Sequence, residues 1–237
     1  LEVIYRKAED RGSFENTWLK AKYSFSFAYY YDKNWLNFGD LIVLNDDIIK
    51  PGLGFPLHSH KNIEIITYYI ATNDASHKTN LGEIEYSNSG DILYTSTGSG
   101  VQHEHGFENN TADSRLLQIW LNPNQLNTEP SSSKINLSKA DKLNKLALIA
   151  YQDDSDTIIT IKQDLCLYTT VLQQNKEVVL KTKKGRRYWV QVISGSIYLD
   201  NNTYKHGDGV GILKTQQDLI FLGKDTESEF LIFDLLD

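Results

Sequence analysis

With 237 residues, 40% of them hydrophobic and 23% charged, the chain is long enough for one large all-β domain or two of about a hundred residues each. Its net charge of −7 excludes an overall positive field of the kind that draws in nucleic acid or anionic lipid, so neither is expected as a direct partner. No apolar run approaches the ~18 residues of a membrane-crossing helix, and the single Cys166 excludes an intrachain disulfide.

Tyr (14) and Phe (9) are plentiful, as are Val, Ile and Thr, and these residues suit a pleated, half-buried surface. Short strand-like runs are predicted at Tyr23–Tyr31, Asp40–Leu44, Glu64–Ala71, Glu83–Ser87, Asp91–Ser96 and Leu116–Leu121, separated by Gly, Asn and Asp turns. Asn122–Ser133 is polar, carries two of the four prolines, and reads as a linker. A Lys-rich amphipathic stretch, Ser138–Leu148, is expected to form a short helix. Strands then resume at Ile158–Lys162, Leu165–Leu172, Val178–Thr182, Tyr188–Ile193, Ser196–Asp200, Gly209–Leu213 and Phe230–Leu235. Cys166 falls inside one of them and reads as a small core residue. Lys181–Arg187, with five basic residues in seven, reads as a solvated loop between two strands, the alternative being a nuclear-import or polyanion patch. Leu1–Ala8 lacks the apolar core of a signal peptide, so a reducing, cytoplasmic setting is expected.

The two halves echo each other. Gly82–Tyr86 leads through Asn88-Ser-Gly-Asp91 into Ile92, and Gly195–Leu199 leads through Lys205-His-Gly-Asp208 into Gly209. A strand, a Gly-Asp turn and another strand, once in each half, point to a duplicated barrel with a positive-φ hairpin turn. The expected division is residues 1–130 and 131–237, each a closed β-barrel or jelly roll.

Four of the six histidines form two His-x-His pairs, His58-Ser-His60 and His103-Glu-His105, each entered through a Gly-rich turn. On a strand, residues i and i+2 point to one face about 6.6–6.8 Å apart. Two imidazoles so placed can both reach a metal at about 2.0–2.1 Å. Two such strands facing each other supply four ligands, so a single divalent transition metal is expected at His58, His60, His103 and His105. Glu64, four residues past His60, shares its strand face if no bulge intervenes. It is the candidate base, fifth ligand or orienting carboxylate, or else a polar residue at a barrel rim. Phe25, Phe27, Phe55 and Tyr94 could line the mouth, although each reads as a core residue by default. His77 and His206 are solitary and are expected to fill ordinary hydrogen-bonding roles.

Gly52-x5-His58-x-His60-x3-Glu64 resembles the first cupin motif, and Gly90 through Gly98 to His103 resembles the second. The match is closest to the pirin family of bicupins. Tyr23–Asp32, Leu44–Asp47, Gly54–Lys61 and Glu64–Tyr68 are similar to its segments, as are Gly98–His103, Leu117–Pro123, Trp189–Val192 and Phe233–Leu235. The resemblance implies an all-β fold of two tandem cupin (jelly-roll) barrels, with one metal in the first: Fe(II), or else Zn, Ni, Cu or Mn. It also implies quercetin 2,3-dioxygenase-type cleavage of a flavonol-like substrate by O₂. The alternative is a non-enzymatic metal-dependent or redox-sensing module with a protein partner, since a eukaryotic pirin is regarded as a transcription cofactor. Pirins typically use three His and one Glu, the Glu two residues after the third His, where this chain has His105. Four neutral imidazoles leave about +2 on a divalent site rather than about +1, which favours the reduced metal and a more acidic bound hydroxyl.

Overall fold

A computed structural model describes residues 1–82, 84–107, 111–153 and 157–237. The chain opens with β1 (Glu2–Arg6). The first half then forms β2 (Gly12–Glu15), β3 (Leu19–Tyr23), β4 (Leu41–Ile49), β5 (Gly54–His60), β6 (Glu64–Ala71) and β7 (Ala75–Thr79). It continues with β8 (Glu85–Ser87), β9 (Asp91–Ser96), β10 (Val101–Gly106), β11 (Ser114–Leu121) and β12 (Ser131–Asn136). After a single helical turn, α1 (Lys139–Lys142), come β13 (Ala147–Tyr151), β14 (Ile159–Thr160), β15 (Leu165–Gln173), β16 (Glu177–Leu180) and β17 (Arg186–Ser194). The last are β18 (Ser196–Leu199), β19 (Asn202–Lys205), β20 (Gly209–Lys214), β21 (Leu219–Gly223) and β22 (Glu227–Leu236).

Each half is a sandwich of one seven-stranded and one four-stranded sheet, the jelly-roll arrangement of a cupin. The first has the orders β12-β9-β6-β11-β4-β3-β2 and β5-β10-β7-β8. The second has β1-β20-β17-β22-β15-β13-β14 and β16-β21-β18-β19.

The division of the chain differs from the expected 1–130 and 131–237. Compact units form from Gly12–Asn136 and from Leu1–Arg11 with Leu137–Asp237. The N-terminal segment belongs to the second unit because β1 pairs along β20. Asp208 also accepts hydrogen bonds from Tyr5 Oη (2.7 Å) and the Ala8 amide (2.8 Å). Conversely, part of the expected linker is strand: β12 pairs with β9 over its whole length and closes the first unit. The Lys-rich helix shrinks to one turn, because residues 147–151 find a ladder partner in β15. Of the predicted strand Glu83–Ser87, Glu83 lies outside the described residues and the strand spans Glu85–Ser87. Lys181–Arg187 is only partly loop, since Arg186 opens β17 and bonds Asp234 and Asp164.

The Gly-Asp echo holds in detail. Gly90 and Gly207 both have positive φ (93° and 84°). Asp91 and Asp208 each accept from the amide three residues back, Asn88 (2.7 Å) and Lys205 (2.9 Å). The turn is a corner, however, and no hairpin. β8 pairs with β7 and not with β9, so the chain crosses here from the small sheet to the large one, as it does between β19 and β20.

Candidate metal centre

The four-stranded sheet of the first unit carries all four histidines of the His-x-His pairs. β5 and β10 run antiparallel with His103 directly opposite His58 and Val101 opposite His60. Between His103 and His105 the register slips, so that His105 faces Phe55 rather than Pro56. Such a bulge bends the strand and re-aims a side chain. The slip needs a glycine at position 54, where a Cβ would sit 1.9 Å from the His105 carbonyl oxygen. On its other edge β10 pairs with β7, which sets His105 directly opposite His77.

The imidazoles converge in two overlapping groups. Donor atoms of His58, His60 and His103 lie within 4.8 Å of one another, and so do those of His77, His103 and His105. His103 is common to both. Its Nε2 is 3.0 Å from His58 Nε2, and its Nδ1 is 3.0 Å from His77 Nε2. His58 Nδ1 lies 2.7 Å from the Pro56 carbonyl oxygen. A carbonyl only accepts, so that nitrogen carries the proton and His58 Nε2 turns a lone pair towards the cluster. His60 Nε2 is buried with no hydrogen-bond partner, its ring edge-on to Trp120 at 4.7 Å. Lone pairs converging without a donor are what a cation would satisfy, so these residues fit a metal. Metal at His103 Nε2 would leave Nδ1–H to donate to His77, the orienting contact that metal-bound histidines usually make. His105 stands deeper, its Nδ1 3.3 Å from Tyr69 Oη.

The electrostatics favour the ligand form. Burial, with His58 beside it, pushes His60 down to about 4. Burial likewise lowers His77 to about 4 and His103 to about 3, and holds His105 well below the ordinary histidine range. All four rings are therefore neutral at pH 7, as metal binding requires.

The histidines form one wall of a cavity of about 170 Å³. Aromatic lining comes from Tyr23, Phe27, Phe55 and Trp120, and Asn45, Asp47 and Gln118 supply polar groups. Of the four candidates for the mouth, Phe27 and Phe55 line it. Phe25 and Tyr94 do not: both are packed in the core, and the Tyr94 hydroxyl donates to Glu64.

Glu64 lies on a different strand from His60. Residues 61–63 end β5, and Glu64 opens β6 in the other sheet, so it shares no strand face with His60. Cross-strand partners share a face. Glu64 is opposite Ser96 and Leu121, whereas the cavity residues Gln118 and Trp120 are opposite Thr67 and Ile65. Its carboxylate therefore points away from the cavity, held by Tyr94 and by Ser96 Oγ at 2.9 Å. Sequence reading missed His77, Asn45 and Asp47. The last two flank Asp46 in a three-residue polar run within Leu41–Ile49, a visible signal whose faces only the ladder decides.

Comparison with known proteins agrees with this architecture. A match to the pirin family covers residues 5–121, and one to the quercetinase C-terminal cupin domain covers residues 148–235. The chain is 32% identical over 233 residues to a quercetin 2,3-dioxygenase of Escherichia coli, spanning 98% of each. It is 35% identical over 214 residues to a pirin-like protein of Caulobacter vibrioides, spanning 89% of this chain and 90% of that one. The bacterial pirin YhhW from Escherichia coli, solved in complex with nickel(II), superposes with a TM-score of 0.92 at 31% identity over 99% of both chains. With its two cupin units and this extent of likeness, the chain belongs to the pirin family.

Proposed function

We propose that the protein is a metal-dependent dioxygenase of the quercetin 2,3-dioxygenase kind. In this reading one divalent metal, Fe(II) by preference, sits at His58, His60 and His103, with His105 completing the set from the deeper side. The observation that carries the proposal is the juxtaposition of neutral imidazoles with an aromatic-walled cavity. Imidazole suits Fe, Ni, Zn and Cu alike, and the nickel complex of the similar YhhW supports a divalent ion.

Bound there, the metal would supply Lewis acidity towards an enolate oxygen and the means of using O₂. The protein's own residues do the rest. His77 and the Pro56 carbonyl fix the rings of His103 and His58. Tyr23, Phe27, Phe55 and Trp120 offer flat apolar surface to a flavonol-like substrate and keep water away. Glu64, on the far face of the sheet, serves in this reading as a structural carboxylate for Tyr94 and Ser96. A sensing module needs only a closed metal site, and the cavity beside the histidines favours the enzyme.

The test is a spectroscopic titration of the metal-loaded protein with a flavonol. A red shift on mixing, then O₂-dependent bleaching that disappears in His58→Ala, is expected. Bleaching that survives this substitution contradicts the site, and metal binding with no response to flavonols favours the sensing module.

A further inference from the structure

A hydroxylated ligand turning its oxygen to the histidine wall must give up a proton, and Glu64 faces elsewhere. Among the described residues, Asp47 is the one carboxylate lining the cavity. It lies mid-way along β4, opposite Leu116 on β11 and Ala21 on β3, so neither direct neighbour offers it a charge. Its side chain is 3% exposed and its Oδ1 has no hydrogen-bond partner. Asn45, two residues back on the same face and also 3% exposed, has an unpartnered Oδ1 too.

The adjacent Asp46 shows what a structural carboxylate looks like here. On the opposite face of β4, it binds Arg115 in a two-pronged ion pair at 2.8 and 2.9 Å. Among the described residues, Asp47 has no such cation. Among the described residues, the titratable groups on its side of the sheet are Tyr23 on β3, whose hydroxyl is pushed up to about 12, Tyr69 on β6, whose hydroxyl burial also raises, and the histidines of β5 and β10 across the cavity. Leaving a buried acceptor unpaired costs roughly 1–3 kcal/mol. Two in a row on one cavity wall are explained if a ligand supplies the donors.

We propose that Asp47 is the proton acceptor of this cavity, taking the proton of an aromatic enol or phenol as that ligand's oxygen turns to the histidine wall. The ligand O–H bond breaks, an O–H bond to Asp47 forms, and the negative charge passes from the carboxylate to the ligand oxygen. Asn45 accepts a hydrogen bond from a second polar group of the same ligand. Burial, with Asp46 next in line, raises the Asp47 carboxyl to about 8. A proton acceptor is most effective when it titrates near the working pH. The assignment rests on the flavonol-type reading of the cavity.

The experiment is binding of 3-hydroxyflavone to metal-loaded wild type and Asp47→Asn at pH 8.5 in weak buffer, with an indicator dye counting protons. Metal content should be equal in the two proteins, because Asp47 is no ligand. The wild type should release almost no proton per flavonol bound. Asp47→Asn should release one and bind at least tenfold more weakly. Equal proton release and affinity in both proteins overturns the assignment and leaves the function reading intact. Loss of metal in Asp47→Asn also overturns it, since the residue would then belong to the ligand set. No binding by the wild type overturns both.

Discussion

The two barrels use one strand plan for opposite ends. In the first, the small sheet β5-β10-β7 carries His58 and His60, His103 and His105, and His77. In the second, the strands in the same places, β16-β21-β18, carry Val178 and Leu180, Leu219 and Phe221, and Ile197 and Leu199. Those six aliphatic and aromatic side chains are buried in a single cluster. Fully burying such a side chain is worth about 1.5–3 kcal/mol. The first barrel forgoes part of that and tolerates unpartnered buried atoms at His60, His77, Asn45, Asp47 and Trp120. A frame that can be filled has instead been left open on one side, and the unsatisfied groups mark the opening. Strained or unsatisfied positions of this kind are expected at functional sites.

The comparison can be broken from either side. The largest effect is expected in the filled barrel: Phe221→Ala should cost about 3–5 kcal/mol of unfolding free energy. Chemical denaturation measures this, and metal content should be untouched. In the open barrel, His77→Ala should leave the fold intact and weaken metal binding about 10–100-fold, the usual cost of losing an orienting partner. A competition assay with a chelator reads it, and unchanged affinity would show that His103 needs no such support.

A smaller, graded effect is expected with pH. His60, His77, His103 and His105 titrate lower in the folded protein than the ordinary 6.5. Groups with a depressed folded value stabilise the native state above their unfolded value. That contribution is lost as pH falls through the folded one. The metal-free protein should therefore lose stability between about 6.5 and about 4, where the unfolded chain takes up protons and the folded one does not. Metal should be held well below pH 6.5 and released towards pH 4, each displaced proton weakening it ~tenfold per pH unit. Thermal melts and metal retention across that range measure both, and release already complete at pH 6 would contradict the burial of the site.

Much of this is legible in the sequence. The period of two in His58-Ser-His60 and His103-Glu-His105 placed both pairs on strand faces, and the Gly-Asp turns announced the duplication. What stayed hidden depended on pairing across the chain. The bulge beyond His103 exists because β5 and β10 meet with an extra residue, and neither strand shows it alone. His77 looked solitary because its partners are 26 and 28 positions away, on a strand joined to its own by a ladder. Glu64 was misplaced because a three-residue turn carries the chain into another sheet, so counting by twos past His60 fails. β1 joins the second barrel because sheet edges accept a strand from anywhere in the chain.

The claim that the open barrel is a metal centre is tested most directly at His103, the residue common to both histidine groups. Elemental analysis of the wild type and of His103→Ala, each reconstituted with Fe(II) or Ni(II) and freed of excess ion, gives the answer. One ion per chain in the wild type and almost none in His103→Ala is the predicted result. An empty wild type, or a His103→Ala protein that keeps its ion, would contradict the account.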